Sequence, residues 1–217
     1  MTEPGSIPSE HWNGVWERAD PDSVSWFQTE TTRSLRLIET ATGARPRHDG
    51  PAVAVTVVDV GGGASRLVDA LILRGLRVTV LDIAKAALER SRRRLGDRAA
   101  DVSWVVADIT RWKPECRFDV WHDRAVFHFL VEPADRQAYR ECAERAVRAG
   151  GVLVLATFAA DGPEQCSGLT VRRYSAADLT AEFHPAFELE ASETEDHETP
   201  WGTRQAFTYV VLRRRTD

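Results

Sequence analysis

The chain has 217 residues, of which 43% are hydrophobic and 28% charged, and its formal net charge is −5 at pH 7. These values favour one globular domain with a substantial core, and the acidic balance argues against a general nucleic-acid binder. Three widely spaced cysteines predict neither disulfides nor a zinc cluster, which favours a reducing cytoplasm. No apolar run reaches the ~18 residues of a membrane span, and the polar N-terminus does not resemble a signal peptide.

The N-terminal part is rich in aromatic residues. Trp12 and Trp16 are four positions apart and share one face of a predicted helix, and Trp26 and Phe27 follow. A second amphipathic helix is predicted within residues 30–43 and ends at a glycine. Two interpretations stay open: a helix packed on the domain, or an aromatic lid over a small-molecule site.

The glycine-rich stretch that follows marks the centre of the fold. The apolar run Ala52–Val60 predicts a buried strand, which stops at three glycines, and a helix is predicted from Ser65 to Arg74. Such a turn lets backbone approach a ligand and directs helix N–H groups at it. The sequence therefore predicts a nucleotide-type site here.

Strands and helices alternate beyond this point, which predicts an α/β fold with a mostly parallel sheet and right-handed crossovers. A C-terminal antiparallel pair completes the predicted sheet. The further predicted strands are Arg77–Leu81, Val102–Val106, Phe118–Trp121, Val152–Phe158, Phe187–Ser192 and Gln205–Arg213; the helices are Ile83–Leu95, Asp135–Arg148 and Ala176–Phe183; and the loop Glu193–Arg204 joins the last two strands.

Glycines or polar residues follow four of the predicted parallel strands. They are the glycine stretch, Asp82, Asp108 and the pair His122 and Asp123. Ligands of open parallel sheets bind at this edge, and a carboxylate in the place of Asp82 can accept both hydroxyls of a ribose. A dinucleotide fingerprint is weakened because Arg66 stands where a small residue is expected.

These motifs in this order resemble the class I S-adenosylmethionine-dependent methyltransferases over about residues 52–213. The resemblance rests on Val58–Gly63, Val80–Ile83, Val106–Ile109, Phe118–Val120 and Gly150–Gly151. It implies a Rossmann-like seven-stranded sheet with helices on both faces and a C-terminal antiparallel strand pair. It also implies S-adenosylmethionine as cofactor, with S-adenosylhomocysteine as product. On this reading residues 51–217 are the methyltransferase domain, and residues 1–50 are an N-terminal lid segment.

The resemblance implies roles for individual residues as well. The glycines would line the methionine part of the cofactor, with Asp59 near its amino group or ordering the loop. Asp82 would bind the ribose, Asp108 the adenine amino group, and His122 would lie beside the methyl donor. One departure is Ser65, which replaces the third glycine of many members. The implied cofactor contacts are Asp59, Gly61, Gly62, Gly63, Asp82, Ile83, Asp108, Ile109 and His122.

Candidate catalytic groups lie in the stretch after the fourth predicted strand. His122 and His128 are candidate general bases because histidine titrates near neutral pH. On a helical reading Arg124 and His128 share one face, and Asp123 could orient either group. The alternative stays open that Asp123 is a helix cap and His128 a structural residue.

Two loops at the same sheet edge supply candidate substrate contacts. The loop after the fifth strand contains Cys166, and the last hairpin contains His197 and Trp201. The latter loop is acidic, which is compatible with a cationic acceptor. No metal site is predicted from these residues. The full set of candidate substrate contacts is Trp26, Phe27, Arg124, Cys166, His197 and Trp201.

The preferred hypothesis is a cytoplasmic methyltransferase that acts on a small molecule by direct in-line displacement, as a monomer or homodimer. The aromatic N-terminus also resembles that of protein-lysine methyltransferases, so a protein substrate is the first alternative. A nucleic-acid substrate is disfavoured because the Asn/Asp-Pro-Pro-Tyr motif is absent. An NAD-dependent dehydrogenase and a non-catalytic cofactor-binding protein are the remaining alternatives. No membrane association is expected.

Overall fold

The computed structural model describes residues 9–18, 24–25, 28, 31–43 and 54–216. Within this part no helix is long and apolar enough to cross a membrane. Two short 3-10 helices, Gly96–Asp101 and Phe127–Phe129, supplement the regular elements. The α-helices are α1 (Ser9–Arg18), α2 (Thr32–Thr42), α3 (Leu67–Leu73), α4 (Lys85–Leu95), α5 (Pro133–Ala146) and α6 (Ala176–Phe183). The strands are β1 (Thr56–Val60), β2 (Arg77–Asp82), β3 (Val102–Val106), β4 (Phe118–Arg124), β5 (Val147–Phe158), β6 (Gln165–Cys166), β7 (Leu169–Thr170), β8 (Phe187–Glu198) and β9 (Arg204–Arg214).

Seven of these strands form one sheet in the order β3-β2-β1-β4-β5-β9-β8. The strands β1 to β5 pair in parallel, whereas β9 runs antiparallel to both β5 and β8. The sheet order switches direction at β1, which brings the carboxyl ends of β1, β2 and β4 to one crevice. The predicted α/β fold with its antiparallel C-terminal pair is confirmed.

The central strands of the sheet are buried on both faces, as their near-continuous apolar character requires. Successive valines of β1 show this, because Val57 belongs to the core under α2, α3 and α4, and Val58 to the core under α5 and α6. In α2, Ile38 is fully buried and Leu35 nearly so. Helix α2 therefore packs directly on the sheet and belongs to the same core.

Local sequence explains where several helices begin and end. Helix α2 ends at Gly43, whose φ of 65° is the left-handed conformation that glycine adopts without strain. Helix α6 begins with a capping box between Ser175 and Asp178, and α5 begins at Pro133.

The segment after β4 differs from the prediction. His122 and Asp123 lie inside β4 rather than after it, and the helical reading of residues 122–129 is wrong. Ala125 has a φ of 72°, which breaks the chain direction before the short 3-10 helix. The Asp123 carboxylate drives this turn, since it accepts hydrogen bonds from the N–H groups of Val126 and Phe127.

The predicted acidic loop, Glu193–Arg204, is wrong as well. Strand β8 continues to Glu198, and its pairing with β9 extends to the Glu198–Arg204 pair, so the connection is short. Alternating burial along β8 explains the error, because an edge strand with one solvated face carries enough charge to resemble a loop. Likewise β5 begins at Val147, which pairs with Phe118 across a register shift, and not at Val152.

Candidate active site

A cleft opens at the carboxyl ends of β1, β2 and β4. Its volume, open mouth included, is about 870 Å³, within the range of small-molecule sites. Apolar side chains form most of its wall, and the lining includes two carboxylates, those of Asp82 and Asp108. The lining residues are Trp12, Trp16, Val60, Gly61, Leu81, Asp82, Ile83, Ala107, Asp108, Ile109, Thr110, Arg124, Ala125, Val126, Phe129, Leu130 and Cys166.

Gly61 of the glycine loop lines the cleft, and the other two glycines of the loop face carboxylates. A Cβ at Gly62 would lie 2.4 Å from Asp59 Oδ2, and one at Gly63 would lie 2.6 Å from Asp82 Oδ2. Gly61 has a φ of 67°, and a Cβ there would lie 2.1 Å from the side chain of Val126. The three glycines therefore allow two buried acids and the turn after β4 to crowd against one loop.

Asp82 lies at the end of β2 with its carboxylate in the cleft. Its Oδ1 accepts from the Ala84 N–H at 2.8 Å, and the backbone of Gly63 and Ile83 also hydrogen-bonds to it. Burial raises the pKa of this carboxyl to about 7, an effect that the nearby Asp59 charge reinforces and the backbone donors oppose. Hydroxyl donors from a ligand would stabilise its ionised form.

Asp108 follows β3 and also lines the cleft. Its Oδ1 accepts from the backbone N–H and hydroxyl of Thr110, which fixes the turn after β3. Its Oδ2 lies 3.9 Å from Arg111. Ile83 and Ile109, each next in sequence to one of the two acids, add apolar side chains to the same lining.

Helix α1 contributes two aromatic side chains to the wall of the cleft. Trp12 and Trp16 line it, and Trp12 makes an edge-on contact with Phe129 at 5.0 Å between ring centroids. The helix is held to α4, because the Ala86 N–H donates to Asn13 Oδ1 at 3.2 Å and the Arg90 guanidinium donates to the Trp16 carbonyl.

A second cavity of about 620 Å³ adjoins the first, and the two share Trp16, Val60, Gly61 and Arg124 as walls. Its base holds a buried chain of three polar side chains. Asp59 Oδ1 lies 2.7 Å from His122 Nδ1, and His122 Nε2 lies 2.9 Å from the Ser34 hydroxyl. Asp59 Oδ2 has no hydrogen-bond partner among the described residues.

Arg124 stands between the two cavities. Its Nε donates to the Tyr209 hydroxyl at 2.9 Å, and its guanidinium stacks over the Phe207 ring at 4.3 Å. Glu195 Oε2 lies 3.7 Å from Arg124 Nη2 and accepts from the same tyrosine hydroxyl. Arg124 is therefore a cation with a fixed position at the cleft, as the sequence predicted, although not on a helix.

Two of the three predicted catalytic residues lie away from both cavities. Asp123 is fully buried and accepts the Tyr139 hydroxyl at 2.6 Å besides its two backbone donors. Burial raises the pKa of Asp123 to about 6. His128 is also fully buried, its Nδ1 accepts from the Phe158 N–H, and burial together with the Arg124 charge lowers its pKa to about 3. Asp123 and His128 therefore stabilise the fold through these hydrogen bonds, whereas His122 lines the second cavity.

Of the predicted substrate contacts within the described residues, Arg124 and Cys166 line the first cavity, whereas His197 and Trp201 do not. Cys166 is buried and lines the first cavity, and burial raises its thiol pKa to about 11. His197 Nε2 contacts the Ser25 carbonyl at 2.8 Å and so holds the N-terminal segment against β8, outside the cleft lining. Trp201 is 60% exposed at the β8–β9 turn. Trp26 and Phe27 lie outside the described residues.

Ser34 and Gln28 were not predicted as site residues, yet both line the second cavity. The signal for Ser34 was present in the sequence, since it is a hydroxyl on the apolar face of α2, four residues before Ile38. No signal singled out Gln28. Among the described residues no cluster of three or more His, Cys, Asp or Glu could hold a metal ion.

Comparisons with known proteins agree with this architecture. Residues 57–151 match the family described as "Methyltransferase domain". This match, the sheet order and the glycine loop confirm the predicted resemblance to the class I S-adenosylmethionine-dependent methyltransferases.

The chain is also 31% identical over 97 residues to Nodulation protein S of Rhizobium tropici. The match covers 45% of this chain and 40% of that protein, so the chain aligns with less than half of the relative's length.

Two solved structures share the fold. The N-methyltransferase NodS of Bradyrhizobium japonicum WM9 in complex with S-adenosylhomocysteine has a TM-score of 0.70 at 15% identity, over 94% of this chain and 98% of that one. The 1,6-didemethyltoxoflavin-N1-methyltransferase of Burkholderia thailandensis has a TM-score of 0.69 at 17% identity, over the whole of this chain and 94% of that one. At such identities the likeness shows the fold alone.

Proposed function

We propose that the protein transfers a methyl group from S-adenosylmethionine to a nitrogen of a small-molecule acceptor. The observation that carries the proposal is the adjoining pair of cavities. One holds Asp82 and Asp108 as acceptors for an adenosine, and the other places polar side chains beside the glycine loop. The cofactor supplies a methyl on a sulfonium, a strong leaving group.

The residues fit this cofactor part by part. Asp82 would accept the ribose hydroxyls, and Ile83, Ile109 and Asp108 would enclose the adenine. The methionine part would follow the glycine loop, where Asp59 Oδ2 lies buried and unmatched within the described part of the chain. The aromatic cover from α1 suits a sulfonium, because a cation is attracted to ring faces. In this scheme residues 1–50 act as the cover of the site in residues 51–217.

Nitrogen is the proposed acceptor atom because the neighbouring structures include N-methyltransferases, one of them with a bound small molecule. The size of the second cavity, about 620 Å³ with its open mouth included, supports a small acceptor. A protein-lysine substrate loses its main structural argument, since Glu193 and Glu195 pair with arginines of α2 and do not form an open acidic surface. A dehydrogenase is disfavoured by the antiparallel β9 and by Arg66 at the end of the loop.

A thermal-shift titration with S-adenosylmethionine, S-adenosylhomocysteine, NAD and NADP tests the cofactor assignment. Ligand at ~100 times its dissociation constant adds ~2.7 kcal/mol of stability, which gives a clear shift. The proposal expects shifts with the two adenosyl-sulfur ligands alone. A shift with NAD alone would contradict it.

The acceptor is then identified with methyl-labelled S-adenosylmethionine and a panel of small amines, thiols and carboxylic acids, with a lysine-rich protein as comparison. Label in an amine is the expected result. Label in the protein alone would favour the alternative substrate class.

A further inference from the structure

Three polar side chains meet at the base of the second cavity, although their elements are distant in sequence. Ser34 comes from α2, Asp59 from β1 and His122 from β4. The last two are neighbours because Asp59 and His122 are register partners in the sheet. All three are buried and all three line the cavity.

The hydrogen bonds among these three side chains have one direction. A carboxylate only accepts, so we assign the proton between Asp59 and His122 to Nδ1. In the neutral imidazole Nε2 is then the acceptor, and the Ser34 hydroxyl donates to it across 2.9 Å. The lone pairs of Ser34 remain as the outer end of the chain, at the wall of the cavity.

On the basis of the proposed function, we infer that Ser34, His122 and Asp59 form a proton relay whose outer end, Ser34, takes the proton that the acceptor nitrogen loses on methylation. Ser34 is then the catalytic residue, because it touches the acceptor. His122 and Asp59 act through it, and the acceptors served are amines that carry an N–H.

The step balances without a further reactant. The nitrogen lone pair forms the new N–C bond as the S–C bond breaks, and that electron pair stays on sulfur. The N–H proton moves to Ser34 Oγ as the hydroxyl proton of Ser34 moves to His122 Nε2. The imidazolium that results lies against the Asp59 carboxylate, and its proton returns to solvent when the products leave.

A binding experiment tests the relay without knowledge of the acceptor. Sinefungin carries an amine on the carbon that replaces the methylsulfonium, so it presents an ammonium N–H donor where the methyl and acceptor meet; S-adenosylhomocysteine has no such group. Calorimetry gives the ratio of their dissociation constants for each variant. In Ser34→Ala this preference for sinefungin should fall by about tenfold or more, since a hydrogen bond to a charged group is lost. The affinity for S-adenosylhomocysteine should stay within about threefold of the wild type.

The controls separate a relay from a packing role. Ser34→Thr retains a hydroxyl and should restore most of the preference, whereas His122→Asn should lower it because Ser34 loses its oriented partner. Thr157→Val removes another fully buried hydroxyl, in β5, and should leave the preference unchanged.

An unchanged preference in Ser34→Ala, with normal binding of S-adenosylhomocysteine, would overturn the relay alone and leave the proposed function intact. Failure of the wild type to bind S-adenosylhomocysteine would overturn the proposed function, and the relay with it.

Discussion

Asp82 is the residue on which the cofactor assignment depends most. In Asp82→Asn the remaining carbonyl oxygen can still accept from the Ala84 N–H, so the local turn is retained. The charged acceptor for the ribose is lost, and we expect the affinity for S-adenosylmethionine to fall by about tenfold or more. Calorimetric titration measures this change. The exposed Asp101→Asn is the matched control, and wild-type affinity in Asp82→Asn would contradict the placement of the ribose.

The environment of Asp82 also predicts a pH dependence. Burial raises its pKa from 3.8 to about 7. Between these values the folded state retains a proton that the unfolded state has lost, so this group's contribution to stability falls as pH rises through that window. The affinity for the cofactor should change with pH in the opposite direction, because the ionised carboxylate accepts hydrogen bonds from the ribose hydroxyls. Affinity for S-adenosylmethionine should therefore increase as pH rises from about 5.5 to 7, by up to about tenfold per unit, and level off above. Asp82→Asn should flatten this profile, and an equal slope in that variant would assign the dependence to another group.

The glycine loop is the element whose backbone is most restricted. Gly61→Ala combines a positive φ with a clash against Val126, whereas Gly75→Ala has a similar φ of 75° and open space around the new methyl group. The second variant therefore measures the conformational cost alone, about 1–2 kcal/mol. We expect Gly61→Ala to lower the free energy of unfolding by about 1–3 kcal/mol more, from overpacking. Urea unfolding of both variants measures the difference, and equal losses would show that Val126 adjusts without cost.

The sequence predicted the elements that have a single dominant signal. The apolar β1 with its glycines, the acid that ends β2 and the acid that follows β3 are local patterns, and the structure contains them. The turn after β4 was missed because His122–Phe129 has helical spacing, while the cause of the turn is a tertiary one: Asp123 is held by Tyr139 of α5. The first half of β8 was predicted, but its charged second half was missed because an edge strand with alternating exposed residues resembles a loop.

The contact between Ser34 and His122 shows the same limit for the site. Both residues were visible in the sequence, and His122 was predicted as a functional residue. Their proximity depends on how α2 crosses the sheet, which is decided by the burial of Leu35 and Ile38. No spacing rule links α2 to β4, so the contact between Ser34 and His122 could not be predicted from the sequence.

On the scale of the whole molecule, ion pairs join the first helix of the sheet layer to the last hairpin. Glu193 of β8 lies 2.6 Å from Arg33 and 2.5 Å from Arg36, both in α2. The hydrogen bond from Arg36 is the largest cause that lowers the Glu193 pKa, so this carboxylate remains ionised under mildly acidic conditions. The N-terminal and C-terminal parts of the chain are thereby held together beside the second cavity.

These pairs are partly exposed, so their effect on stability should be small. We expect Glu193→Gln to lower the free energy of unfolding by less than about 1 kcal/mol at low ionic strength. In ~1 M salt the difference should shrink, because screening then acts within ~3 Å. Urea unfolding at the two salt concentrations, with the Arg36→Gln and double variants, measures the coupling. A loss that is independent of salt would mean that packing, not charge, joins the two segments.

The alkylation rates of two cysteines would test whether the N-terminal segment covers the cleft. Cys116 is exposed, whereas Cys166 is buried in the cleft wall near Ser25 of the N-terminal segment. An alkylating reagent should therefore modify Cys116 at once and Cys166 only when that segment lifts. A ligand that binds in the cleft should then slow the alkylation of Cys166 and leave that of Cys116 unchanged.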